Sequence, residues 1–180
     1  MSHVAKRVGL VTLALAEMVT FAVTAGTVGF YISQLSGFVH DNGGNGALLL
    51  DYGTQGRQEF LLFAAGIGIF IAIFSMVIAI LGLQEISHWA VTMITLHAFC
   101  ALVLLVSASL LAKTTSTYDK KDVCKRLKEI SSDARCYQLT IGVAFGFVSM
   151  VLFIGDTIIY VATLTHNIGI SFVNMNNIPS

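Results

Sequence analysis

Four apolar stretches, at residues 8–32, 60–83, 89–112 and 139–165, take up most of the chain and constrain its fold more than any other feature. At about 1.5 Å of rise per residue, each is long enough as a helix to cross a hydrocarbon core of roughly 30 Å. The ionisable side chains deep inside them are Glu17, His97 and Asp156. A helix of this length in water carries a charged face, and these stretches have none. The chain therefore reads as an all-α integral membrane protein, an antiparallel four-helix transmembrane bundle running up-down-up-down.

Composition supports that reading. Charged residues make up 11% of the chain, under half the roughly 25% of soluble proteins, too few for a water-facing surface. The remaining pieces, loops 33–59, 84–88 and 113–138 and tails 1–7 and 166–180, are too short to fold separately. The chain is thus one membrane domain, 1–180. Its formal net charge is zero, so no basic field points to nucleic acid. Pro179 lies beyond the spans, so none carries a proline kink. Lys6 and Arg7 before the first span, with Val23-Thr24-Ala25 before Gly26, resemble a signal peptide and its cleavage site. Glu17 would interrupt its apolar region, and the apolar run continues to Ile32, so a retained helix is expected.

The loops differ in character. Loop 33–59 contains Asp41-Asn42-Gly43-Gly44-Asn45-Gly46, a run that favours tight turns, and a short strand is expected at 47–52. Residues 84–88 are a minimal turn, making spans two and three a helical hairpin. In loop 113–138, Val123, Leu127 and Ile130 recur at i, i+4 and i+7, predicting a short amphipathic helix capped by Thr117 or Asp119. The uncharged, Asn-rich tail suits weak contact with the membrane surface rather than a strong anchor.

Cys124 and Cys136 are separated by eleven intervening residues in the second loop, and Cys100 lies inside the third span. In a non-cytosolic compartment the loop pair would oxidise and close a small ring, stabilising it by about 3 kcal/mol; in the cytosol both remain thiols. Seven Lys and Arg side chains, from Lys113 to Arg135, crowd the same loop. The positive-inside rule would place it in the cytosol. Lys6 and Arg7, directly before the first helix, favour the opposite orientation.

Depth along the spans gives a sharper inference. Glu17 lies nine residues into span one, His97 eight into span three, Asp156 nine before the end of span four, and Ser75 eight before the end of span two. With alternating helix direction these four fall in one layer, roughly 12–14 Å from the side of the termini. Carboxylates at that depth should face the interior and be paired, with His97 as partner. Three readings stand: polar glue between helices, contact with a lipid headgroup or sterol, and a proton or cation pathway. Small residues at Ala22 and Gly26, Gly66 and Gly68, and Gly142 and Gly146 are expected to allow close helix approach, for packing within the bundle rather than for a dimer interface, the alternative such patterns leave open. Trp89 and Tyr137 suit interfacial anchors.

The arrangement of these pieces resembles the MARVEL family of four-span proteins, which includes MAL-like, chemokine-like-factor-like, physin, occludin and fungal eisosomal members. The resemblance rests on the basic pair before span one and on Phe60-Leu61-Leu62-Phe63-Ala64-Ala65-Gly66 opening span two. It rests also on Arg135-Cys136 leading into Ile141-Gly142-Val143-Ala144-Phe145-Gly146-Phe147-Val148-Ser149 in span four. It implies a left-handed bundle with cytosolic termini in a plasma or vesicle membrane, and an external Cys124–Cys136 disulfide. It also implies a non-catalytic role in vesicle trafficking, membrane-domain formation or cell–cell apposition. Claudins and tetraspanins fit less well, since the first-loop Trp and Cys pair of the one and the Cys-Cys-Gly run of the other are absent.

No phosphate-binding Gly-rich loop, Gly-x-Ser-x-Gly or His-Glu-x-x-His occurs. The five histidines are scattered, so no metal centre and no cofactor are expected. The leading expectation is a non-enzymatic membrane organiser whose partners are lipids and other membrane proteins, including its own copies. The alternatives are a small channel or proton-coupled transporter using Glu17, His97 and Asp156, and an accessory subunit of a larger complex.

Overall fold

The computed structural model describes the backbone of residues 3–41, 54–120 and 137–176, with side chains over 7–33, 56–118 and 137–165. These residues form four helices: α1 (His3–Asp41), α2 (Thr54–Leu81), α3 (Ser87–Lys120) and α4 (Tyr137–Asn176). No strand occurs among the described residues. The expected strand at 47–52, the amphipathic helix at 123–130, and Cys124 and Cys136 lie outside them.

Each helix contains a window apolar enough to span a bilayer: Arg7–Ser33, Gly56–Leu81, Ser87–Tyr118 and Tyr137–Thr165. The helices nevertheless run past the hydrophobic stretches. Residues 33–41, 54–59 and 113–120, expected as loop, are helical, and α4 continues through most of the expected tail. Hydropathy marks where lipid ends, whereas the backbone ladder stops only where a breaker or a competing cap interrupts it. Such a breaker occurs between α2 and α3. Gly82 adopts a left-handed φ of 72° and its amide reaches back to the Ala79 carbonyl at 3.3 Å, as glycine does after a helix C-terminus. A 3-10 turn, Leu83–Glu85, then leads into α3. The Arg7 guanidinium lies 3.8 Å from Glu85, placing the start of α1 beside this turn.

Each helix packs on its neighbours in sequence, and α4 closes the ring on α1. Burial along each helix repeats in steps of three and four. On α1 the inward positions are Leu10, Ala14, Glu17, Phe21, Thr24, Val28 and Tyr31. On α4 they are Leu139, Gly142, Gly146, Ser149, Phe153, Asp156, Tyr160 and Thr163. The pattern averages 3.5 residues, the period that keeps a seam facing its partners in a left-handed supercoil. The outward positions are apolar on every helix, among them Val19, Phe63, Phe70, Leu102 and Ile158.

The small residues divide between the two faces. Gly68 lies against the Phe21 ring, Gly142 against Val28, and Gly146 against Ala108 and Leu61, so each admits a close approach. The expectation of intra-bundle packing does not hold for Ala22, Gly26 and Gly66. All three face outward, and at both glycines a Cβ would meet open space. Residues four apart share a face only approximately, and the 3.5-residue seam on α1 passes through 21 and 24 instead. A methyl on Gly142 would stand 2.5 Å from Val28 Cγ2. Gly142→Ala should therefore cost about 1–3 kcal/mol in detergent unfolding. Gly26→Ala and Gly66→Ala, with open space for the methyl, should instead raise stability slightly, by up to the roughly 0.5–1 kcal/mol that a glycine costs within a helix.

Candidate functional site: a buried acid–histidine cluster

The inward seams carry polar side chains to one level of the bundle. Glu17, Ser75, His97 and Asp156 are each 0% exposed and come from four different helices. His97 is fixed first. Its Nδ1 stands 2.8 Å from the Met93 carbonyl one turn earlier; since a carbonyl only accepts, Nδ1 carries the proton. The other ring nitrogen, Nε2, faces Asp156 Oδ2 at 3.5 Å. Phe153 and Tyr160, one turn before and after Asp156, hold the imidazole at ring-centroid distances of 5.1 and 5.6 Å. Phe21 in turn meets Phe153 edge-on at 5.6 Å.

Glu17 completes the group from α1. One ligating atom from each of Glu17, His97 and Asp156 lies within 4.8 Å of the others. Ser75 joins less directly: its hydroxyl bonds Tyr160 at 3.1 Å, and Tyr160 packs on His97. The layer expected from helix depth thus divides into an acid–histidine trio and a Ser–Tyr pair beside it. On the side of the long loops, Ser149 donates to Thr20 Oγ1 at 2.9 Å, and Thr20 donates to the Glu17 carbonyl at 2.9 Å.

Most other hydroxyls in the spans are satisfied within their own helix. Thr24, Thr157 and Thr163 each bond the carbonyl four residues back, which hydrocarbon rewards because no water competes. The trio is different. Both Glu17 oxygens, both Asp156 oxygens and His97 Nε2 are buried without a hydrogen-bond partner. The 3.5 Å separation of His97 and Asp156 is an ion-pair distance, longer than the roughly 2.7–2.9 Å of a charge-assisted hydrogen bond. No Lys or Arg is buried among the described residues. Each carboxylate placed at this depth costs about 2.5–3.5 kcal/mol on insertion scales, so the group needs compensating positive charge.

Tyr160, Thr20 and Ser149 were not singled out by sequence. They are legible only through the seam: Thr20 follows Glu17 by three residues, Tyr160 follows Asp156 by four, and Ser149 precedes it by seven. The scattered histidines gave no local metal motif either, because these ligand-type atoms converge from three helices.

Four apolar helices closing around an inward polar layer define a polytopic membrane protein of four spans. Residues 7–159 match the model of the MARVEL membrane-associating domain, and the chain belongs to that family. No curated protein and no solved structure matches it.

The geometry makes the trio a coupled unit. His97→Leu and Asp156→Leu should each destabilise the bundle, and the double substitution should cost less than their sum. A double-mutant cycle by unfolding in detergent should return a coupling of about 0.6–1.7 kcal/mol.

Proposed function

We propose that the chain is a non-enzymatic membrane organiser that works through lateral contacts of its outer surface with lipids and other membrane proteins, second copies included. The observation that carries this reading is the division of the bundle: polar groups turn inward, while Phe63, Phe70, Phe99 and Val151 present bare apolar surface to the surroundings. Membership of a membrane-associating family agrees with it. The family's roles in vesicle trafficking, membrane-domain formation and apposition of membranes fit such a surface. In giant vesicles with coexisting ordered and disordered lipid phases, the labelled protein should concentrate in one phase or at its boundary. Uniform distribution, with no lateral association in cells, would remove the support for this role.

The competing reading, a proton-coupled conduit through Glu17, His97 and Asp156, rests on the buried trio. Against it stand the apolar clusters on either side of the group, with Leu10, Ile78, Ala90 and Met93 toward the termini and Phe21, Leu104 and Phe153 beyond it. Hydroxyls there pair with each other, Ser75 with Tyr160 and Ser149 with Thr20, or bond within their own helix, as Thr24 and Ser107 do. Liposomes loaded with a pH-sensitive dye should therefore show no protein-dependent flux. A flux abolished by Asp156→Asn or Glu17→Gln would replace the organiser reading with the conduit.

We further infer cytosolic termini and an external second loop closed by Cys124–Cys136. The basic content of that loop argues for the reverse. Impermeant thiol labelling of intact cells should succeed only after reduction. Labelling that requires permeabilisation and no reductant would invert the topology.

A further inference from the structure

We propose that Glu17, His97 and Asp156 form a divalent-cation site in the core of the bundle, and that Zn²⁺ is the ion its ligand set suits best. The proposal goes beyond the organiser reading and does not depend on it.

The first ground is charge. With His97 neutral, two carboxylates leave the group at −2, which one divalent cation neutralises. Two protons would balance the charge equally well, so a second ground is needed, and the unused lone pairs supply it. Both Glu17 oxygens, both Asp156 oxygens and His97 Nε2 are buried with no hydrogen-bond donor on them. A metal ion uses the lone pairs of Glu17, Asp156 and His97 Nε2 together.

Geometry is the third ground. Ligand atoms about 2.0–2.2 Å from a tetrahedral Zn²⁺ stand roughly 3.3–3.5 Å apart. His97 Nε2 and Asp156 Oδ2 are already separated by 3.5 Å. The remaining separations stay within 4.8 Å, a gap that small rotations of the Glu17 side chain can close. The imidazole is also prepared as a ligand: donation from Nδ1 to the Met93 carbonyl leaves the Nε2 lone pair free, the outer-sphere contact usual for metal-bound histidine. Mixed imidazole and carboxylate donors suit Zn²⁺ better than the all-oxygen sets preferred by Mg²⁺ and Ca²⁺. Because the three side chains are fully buried, the ion would be enclosed as the helices assemble, tying α1, α3 and α4 at one point.

Protein purified in detergent from zinc-supplemented cells should retain about one Zn²⁺ per chain through gel filtration, the stoichiometry of a single enclosed site. Co²⁺ in its place should give visible ligand-field bands of a nitrogen–oxygen site without thiolate charge transfer, four-coordinate when one carboxylate binds through both oxygens. Glu17→Gln, His97→Gln and Asp156→Asn should each lower retained zinc at least about tenfold, whereas Cys100→Ser should keep it. Circular dichroism and monodisperse elution identify the variants that are folded; if none is, the wild-type cobalt spectrum decides. Metal-free wild type with no cobalt bands would overturn the site. So would full zinc retention in the folded triple variant, or a thiolate-ligated cobalt spectrum. A site lost in this way leaves the lipid-phase experiment untouched.

Discussion

Helices surrounded by hydrocarbon gain nothing from hiding apolar surface, because lipid tails are as apolar as the side chains of a neighbouring helix. That constraint governs the rest of the structure. What holds the bundle together must be close packing or polar contact that lipid cannot offer. Both are found on the inward seams. Gly68, Gly142 and Gly146 bring backbones near Phe21, Val28 and Ala108, and the hydroxyls of Thr20 and Ser149 or Ser75 and Tyr160 meet across helix boundaries. The large phenylalanines that would anchor a soluble core, Phe63, Phe70 and Phe99, are turned outward instead. Phe21 and Phe153 are exceptions, both buried, with Phe153 against His97 and Phe21 against Phe153.

The acid–histidine trio is the extreme case of the same constraint. A lone carboxylate in hydrocarbon is costly wherever it points; two carboxylates and one imidazole converging from separate helices fix which helices must be neighbours. Changing the rotation of α1 by one position would carry Glu17 toward the lipid. The polar group therefore specifies register, which apolar packing between near-uniform surfaces does poorly.

Hydropathy made the number of spans and their alternating direction legible, because apolar length is set by bilayer thickness alone. Depth counting also placed Glu17, Ser75, His97 and Asp156 at one level, since helical rise is constant. What hydropathy could not resolve was which face of each helix turns inward. In a soluble helix the apolar stripe marks the core; here apolar residues cover the outward face and alternate with small and polar ones on the inward face, so the usual contrast is reversed. The informative signal was the recurrence of small and polar residues at steps of three and four, as in Ala14, Glu17, Thr20 and Thr24. Pairing glycines simply by four-residue spacing followed the wrong diagonal on α1 and put Gly26 in the core. The helix ends escaped for a different reason: residues 33–41 and 113–120 are polar enough to leave lipid and still competent to continue a helical ladder.

The two faces separate what the protein is from what it does. Inward residues determine that the helices assemble in one order and rotation; among the described residues, the outward ones are the part of the spans left open to the surroundings. The proposed organiser role would need both, because a lateral surface can be recognised only if its side chains keep fixed relative positions. Mobile helices would present a changing mixture of outward faces, and selectivity among neighbours would average away. Locking α1, α3 and α4 at a single buried point restricts rotation of each about its axis. This holds whether the compensating charge there is carried by protons or by a metal ion. The costly interior group is thereby linked to the outer surface it never reaches.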